Sequence, residues 1–238
     1  EDEAVRRKAL MRLHVRWFHA TAQQLSTTLR AAGAPPRAIG EVPQVIAQCQ
    51  ICRDWRTPES RPVQSVRLIT EFNKEVQWDF MFYTSLLEPS KGSQPIAHII
   101  DSAIRWSAGC YCKSKEEAEL CQVLNRIWMT IFGPPAVLVS DMESAMTGQL
   151  ACDWAQSCGI QFKFKSPRQR GWIVERHNQV IRHGLQHTEE QVIRDGLQVT
   201  AEQVLAMVFF AHNAMTVINK STPYQALLGR CLLYTSDA

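Results

Sequence analysis

Two histidines and two cysteines near the start of this 238-residue chain restrict its folding more than any other feature. Four residues separate His14 from His19, two separate Cys49 from Cys52, and 29 lie between the pairs. Two imidazoles and two thiolates match a tetrahedral zinc site that leaves no position for substrate, and such a closed site is structural. Five residues at 3.6 per turn set the imidazoles about 140° apart, so one helix cannot hold both and the chain must bend near Trp17. In a stretch of under 60 residues with few large apolar groups, bound metal should supply much of the folding free energy. The plainer alternative is a pair of surface histidines beside unliganded cysteines.

Around these residues Leu10, Leu13 and Trp17 recur at helical spacing until Gly33–Pro36 breaks the pattern, and a second short helix through Val42–Ile46 leads into Cys49. Arg56–Pro62 has the Pro and Ser content of a linker, which divides the chain into a helical zinc-binding domain with its linker, 1–58, and a second domain, 59–230. There the period changes. Val76–Tyr83, Ile96–Ile100 and Ala103–Tyr111 read as a three-strand meander. Ser114 with Glu117 reads as a capping box opening a helix that runs to Gly133. Ala136–Ser140 is a short apolar strand delivering Asp141 at its carboxyl end. A helix around Ala145–Ser157, a strand at Ile160–Phe164 and long helices near Trp172–His187 and Thr200–Ile218 complete the order. The expected fold class is α/β, a mixed five-stranded sheet flanked by helices and preceded by a small helical domain, with ligands at strand ends.

A chain that is 45% hydrophobic and 21% charged is neither a disordered tail nor a fibre. Its net charge of +3 is too small for a whole-chain field to argue for nucleic acid, so only local basic clusters bear on that question. Among the eight cysteines only Cys49 and Cys52 have metal-type spacing, and the others read as buried thiols. With an acidic Glu1–Glu3 and no signal-like apolar run, a reducing intracellular compartment is expected. The most apolar stretch, Val204–Ile218, is interrupted by His212 and Asn213 and is shorter than the roughly 20 residues of a membrane span. There is no initiator Met, and 231–238 resembles a translated sequencing-library adapter; a non-native tail on an incomplete reading frame is expected, a genuine short polar C-terminus being the other reading.

Three acids stand where this plan could gather them. Asp79 is mid-strand among Trp78, Phe80 and Phe82, poor surroundings for a charge that binds nothing. Asp141 closes an apolar strand, and Glu175 opens a helix after Pro167 and Gly171. Carboxylates converging from separate elements suit two divalent cations about 3.5–4 Å apart, which activate a nucleophile and stabilise the leaving oxygen in phosphodiester displacement. Hard oxygen ligands favour Mg²⁺ or Mn²⁺. Spacing alone leaves Asp141 readable as a strand-end cap and Glu175 as an exposed helix residue.

Val139–Glu143 resembles the segment of retroelement integrases in which an Asp ends the fourth strand, and Ser166–Ile181 resembles their later run of proline, glutamine and glycine before Glu-Arg-x-Asn. Val76–Asp79 is similar to the first-strand Asp segment, and Ser221–Arg230 to the motif after the core's last long helix; together the matches span most of 10–230 in order. The resemblance implies a ribonuclease H-like catalytic core with Asp79, Asp141 and Glu175 as its acid triad. It also identifies His14, His19, Cys49 and Cys52 with the zinc domain that precedes such cores. Two departures stand out: 33 residues separate Asp141 from Glu175, two fewer than is usual there, and Met142 with Glu143 replaces the common Asn-Gly.

Lys163, Lys165, Arg168 and Arg170 lie beside the proposed metal site, where a phosphate backbone must pass, although a charge run also suits a solvated loop. Glu175, Asn178, Gln179 and Arg182 share one helix face. The resemblance implies that Asn178, Gln179 and Arg182 contact the element's DNA end; packing on a partner subunit is the other reading of that face. His177 and His183 point away. The implied activity is metal-dependent 3′-end processing of DNA followed by strand transfer, by a homo-oligomer working in the nucleus as part of a retroelement polyprotein. The rivals are a zinc-dependent DNA-binding or assembly module with an inactive core, and a hydrolytic nuclease with the same triad.

Overall fold

The structure, a computed structural model, describes residues 2–54, 69–141, 147–164, 173–218 and 220–229. Its first part is helical: α1 (Glu3–Arg16), α2 (Ala22–Ala31), α3 (Pro36–Ala47) and the short α4 (Gln50–Asp54). Asp2 caps α1, and Thr21 with Gln24 closes a reciprocal capping box on α2. Pro36 opens α3, where its missing N–H has no intrahelical partner to lose. Leu10, Leu25, Val42 and Val45 from α1, α2 and α3 bury into a small core. The first helix stops at Arg16, and Phe18 and His19 take φ of 50° and 60°, the bend expected between the histidines.

The second part is a five-stranded sheet in the order β3-β2-β1-β4-β5. Its strands are β1 (Glu75–Thr84), β2 (Ser93–Asp101), β3 (Ser107–Tyr111), β4 (Val137–Ser140) and β5 (Gln161–Phe164). The first three pair antiparallel, and β4 and β5 continue parallel to β1. The helices are α5 (Glu117–Leu124), extended by a π turn (Asn125–Met129) and a last turn (Thr130–Phe132), then α6 (Gln149–Cys158), α7 (Ile173–Arg194), α8 (Ala201–Met215) and α9 (Pro223–Leu228).

Alternation along β1 sorts its side chains between two cores. Val76 and Trp78 bury against Leu120, Val123, Leu124 and Trp128 on one face, with Ala155 of α6. Met81 and Tyr83 bury against Ile181, Leu185, Val204 and Val208 of α7 and α8 on the other. The expected mixed sheet flanked by helices is therefore present. Gln77 and Asp79 belong by the same alternation to the face under α7.

Three local expectations change. The third strand begins at Ser107 rather than Ala103, because the Asp101 carboxylate accepts from Ala103 N (2.8 Å) and Ile104 N (2.7 Å) and holds those residues in a turn. The Ser114–Glu117 capping box does not form: Glu116 is the N-cap and makes no side-chain bond. Glu117 instead accepts from Leu150 N (3.1 Å) and Ala151 N (3.3 Å), capping the neighbouring α6. Helix α7 runs past His187 to Arg194, since Val192 prolongs the apolar stripe of Ile181 and Leu185. The linker with its proposed boundary and the 231–238 tail lie outside the described residues.

The small helical unit is seated on α8. Trp17 stacks on Phe210 at 6.1 Å between ring centroids, and with Ala20 it packs on Ala214 and Met215. Thr28 Oγ1 donates to Met215 Sδ at 3.7 Å. A cleft of about 460 Å³ runs along this seam, between the bend at Trp17–Thr21 and the facing sides of α7 and α8.

Candidate functional site

Two groups of side chains have the chemistry of a site. In the first, His14 Nε2 lies 3.2 Å from Cys52 Sγ and 3.2 Å from His19 Nδ1, which is 3.4 Å from Cys49 Sγ and 3.5 Å from Cys52 Sγ. All four ligand atoms fall within 4.8 Å of one another. A tetrahedral zinc with bonds of about 2.0–2.3 Å holds its ligands roughly 3.3–3.8 Å apart, so the group has the dimensions of a metal cage. The His14 Nδ1–H donates to Ala20 O at 2.9 Å, which turns the Nε2 lone pair inward, as a support for a metal-binding histidine does. Hydrogen bonding from Cys52, with His14 and His19 adding, draws the Cys49 thiol well below its ordinary range against the opposing effect of burial. That favours the thiolate, the ligand form. Both histidines and Cys49 are buried.

The second group gathers around β1. Parallel pairing sets Glu75 beside Val137 and Gln77 beside Val139; continued two residues past the last pair, this register would bring Asp79 to Asp141, the residue that follows β4. Neighbouring strands lie roughly 4.8 Å apart and side chains two residues apart share a face, so both aspartates emerge together on the α7 side. Helix α7 is held to that face at two levels. Val174 N donates to Gln77 Oε1 at 3.2 Å, which seats the first turn of the helix, and with it Glu175, over β1. One turn on, Asn178 Nδ2 donates to Asp79 Oδ2 at 2.7 Å. Asp79 Oδ1 accepts from Phe80 N at 2.9 Å.

Beneath Asn178 the contacts continue into the protein. His98 Nδ1–H donates to Asn178 Oδ1 at 2.5 Å, while Ser107 Oγ lies 3.2 Å from His98 Nε2. Asn213 of α8 closes the chain, accepting from Ser107 N and donating to Ser107 O, each at 2.8 Å. His98 is completely buried, and burial pushes its pKa down to about 4, so the ring is neutral with one donor and one acceptor nitrogen. The relay fixes the amide of Asn178 and through it the Asp79 carboxylate. None of Gln77, His98, Ser107 and Asn213 stood out in the sequence as a site residue. The available signal was a lone histidine inside the apolar run Ile96–Ile100.

The remaining candidates divide. Lys163 is exposed on β5, opposite Val139 and thus on the acid face, and lies 3.9 Å from the Glu75 carboxylate. Lys165, Arg168 and Arg170 lie outside the described residues, as do Met142 and Glu143. Gln179 is exposed, and Arg182 donates to Phe82 O at 3.2 Å on the rim of β1. Asn178, expected at the DNA end, is buried, its amide engaged by His98 on one side and by Asp79 on the other. His177 points away from the acids, its Nδ1 2.6 Å from His212 Nε2. No helix among the described residues is long and apolar enough to cross a membrane.

No family model matches the chain. A Pro-Pol polyprotein of feline foamy virus is 26% identical over 196 residues, 82% of this chain and 16% of the polyprotein, so the chain spans about a sixth of that relative's length. Among solved structures, a chain of the simian T-cell lymphotropic virus intasome has a TM-score of 0.68 at 17% identity, covering 96% of this chain and 76% of its own. The HTLV-2 integrase catalytic core domain in complex with magnesium has a TM-score of 0.55 at 17% identity, covering 67% of this chain and 98% of its own. The resemblance to retroelement integrases is thus borne out by a relative in sequence and by integrase cores in fold.

Proposed function

We propose, for a chain of retroviral-integrase type, a DNA-joining activity at Asp79, Asp141 and Glu175: hydrolysis near the 3′ end of the element's DNA, then attack of the freed 3′ hydroxyl on a target phosphodiester. The observation that carries this reading is the β1–β4 register ending at Gln77 and Val139, which, continued by two residues, would bring Asp79 and Asp141 to the same side, under a helix turn that bears Glu175 and is bonded to Gln77. Asp79 and Asp141 are half-exposed and Glu175 is exposed; hard, anionic oxygens of this kind suit Mg²⁺ or Mn²⁺, although among the described residues only the four zinc-type ligands lie within metal-binding distance of one another. When bound, such ions supply charge neutralisation at the reacting phosphate. The protein's part is positional: Asn178 holds one oxygen of Asp79, Gln77 anchors the helix that presents Glu175, and His98 fixes Asn178. A solved integrase core that holds magnesium supports this choice of ion. The four-ligand group of the helical unit is assigned to structural zinc. Lys163, Gln179 and Arg182, with Lys165, Arg168 and Arg170, are assigned to the DNA backbone. The intasome and the dimeric and trimeric core structures support a homo-oligomer as the working form; action in the nucleus is part of the proposal.

Asp79→Asn, Asp141→Asn and Glu175→Gln are each expected to abolish cleavage and joining with Mg²⁺ or Mn²⁺ while leaving folding and DNA binding intact, because an amide keeps the shape of a carboxylate but not its charge. Activity surviving in any of the three would remove that residue from the site. Full DNA binding with no joining in the unaltered chain would favour the binding-only reading.

A further inference from the structure

Away from the acids and the zinc-type group, two cysteines stand at the outer edge of the sheet. Strand β3 is an edge strand, and its Cys110 pairs with Ala97 on the face that α5 covers. Arg126 Nη2 donates to Cys110 Sγ at 3.3 Å. Arg126 stands in the π turn Asn125–Met129, and π turns within helices concentrate at functional sites. Two residues on and on the same side, the buried Cys112 has its Sγ 3.7 Å from Cys110 O.

A guanidinium is charged at every relevant pH, so its hydrogen bond favours the thiolate over the thiol. The hydrogen bond from Cys112 and then that from Arg126 draw the Cys110 pKa down to about 7, although burial and the Glu119 charge work the other way. Cys112 is pushed up, by its bond to Cys110 and by burial, and keeps its proton. The pair is asymmetric: a half-buried sulfur prone to ionise, beside a buried thiol.

We propose that Cys110 and Cys112 form a redox-reactive dithiol, in which Cys110 is the peroxide-reactive nucleophile and Cys112 the resolving thiol. The Cys110 sulfur attacks one oxygen of a hydroperoxide, the O–O bond breaks, an alcohol or water leaves with a proton, and Cys110 becomes a sulfenic acid. The Cys112 sulfur then attacks the Cys110 sulfur; the S–S bond forms, the S–O bond breaks, and the oxygen leaves as water with the Cys112 proton. Overall the two thiols lose two electrons and two protons, and the hydroperoxide is reduced to an alcohol and water, or to two waters when it is hydrogen peroxide.

A lowered pKa raises the thiolate fraction of Cys110 at pH 7. Lower basicity gives back only part of that gain in nucleophilicity, so Cys110 should react severalfold faster than an ordinary thiol. The test uses the full chain loaded with zinc and treated with hydrogen peroxide at pH 7. Trypsin releases Trp106–Lys113, which holds Cys110 and Cys112 and no other cysteine. This peptide should lose two hydrogens severalfold faster than the exposed Cys152 is trapped by dimedone, the adduct being placed on Cys152 by fragment ions because its tryptic peptide, Ile127–Lys163, also holds Cys158 and three methionines. Cys112→Ser should leave a sulfenic acid on Cys110 that dimedone traps, Arg126→Gln should slow the reaction severalfold, and Arg126→Lys should restore part of the rate. Equal rates for Cys110 and Cys152, no dimedone adduct in Cys112→Ser, or an unchanged rate in Arg126→Gln would each overturn the proposal. All three readouts are independent of DNA joining.

Discussion

A histidine with no exposed surface and both ring nitrogens engaged, as His98 is, contributes to the protein only while neutral. Its pKa in the folded chain is about 4 and that of His212 about 3, lowered in both cases by burial, against about 6.5 when unfolded. The unfolded chain therefore binds more protons between those values. The stability contributed by the neutral rings is complete above about pH 6.5 and is lost as pH falls towards 4, at up to about 1.4 kcal/mol per pH unit for each histidine. Urea unfolding at a series of pH values should show this decline, and His98→Gln, which can still donate to Asn178, should flatten it by close to one histidine's share. Identical slopes in the two proteins would mean that His98 is not buried neutral.

Strand β1 organises the elements. From Gln77 to Tyr83 it advances roughly 20 Å, and α7 advances roughly 22 Å from Val174 to Glu189, so contacts at both ends hold one against the other. At the far end the fully buried Glu189 carboxylate accepts from Tyr83 Oη (2.9 Å), Ser85 Oγ (2.7 Å) and Leu86 N (2.7 Å), which satisfies a charge that would otherwise be costly to bury. The next helix over the sheet, α8, comes close enough to demand a glycine below it. A Cβ on Gly109 would lie 2.4 Å from Phe209 Cζ and 2.5 Å from Ala97 O. Gly109→Ala should therefore cost about 1–3 kcal/mol in a denaturant titration. Adding Phe209→Leu should recover only part, since the backbone oxygen of Ala97 remains; an unchanged midpoint in Gly109→Ala would show that β3 moves away freely.

At the scale of the molecule, the zinc-type group and the acid site are linked through packing, since the helix bend that presents His19 also places Trp17 on Phe210 and Ala20 on Met215. Chelating zinc should melt the helical unit and also lower the melting temperature of the sheet domain by a few degrees, as its seat on α8 is lost. Trp17→Ala with zinc retained should reproduce the second effect without the first. A sheet-domain transition that calorimetry finds unmoved in both cases would make the seam a contact without energetic weight.

Local and periodic features were legible in the residues alone. The spacing of His14, His19, Cys49 and Cys52 implied a bent helical cage, and the chain does bend at Phe18 and His19. The apolar run before Asp141 implied a strand end, and the three-strand meander emerged with one boundary moved by the Asp101 turn. Tertiary structure decided what depends on partners far apart in sequence. Ser114 and Glu117 have the spacing of a capping box, yet the carboxylate was taken by α6, more than 30 residues away. Asn178 falls by helical period on the face of Glu175 and Arg182, but the strand beneath has His98 where its ring N–H can donate to the Asn178 amide oxygen, so Asn178 is buried while Gln179 stays exposed. Period and spacing describe one element at a time. Which hydrogen-bonding group meets which is settled only when strand register and helix seating bring β1, β2 and α7 together.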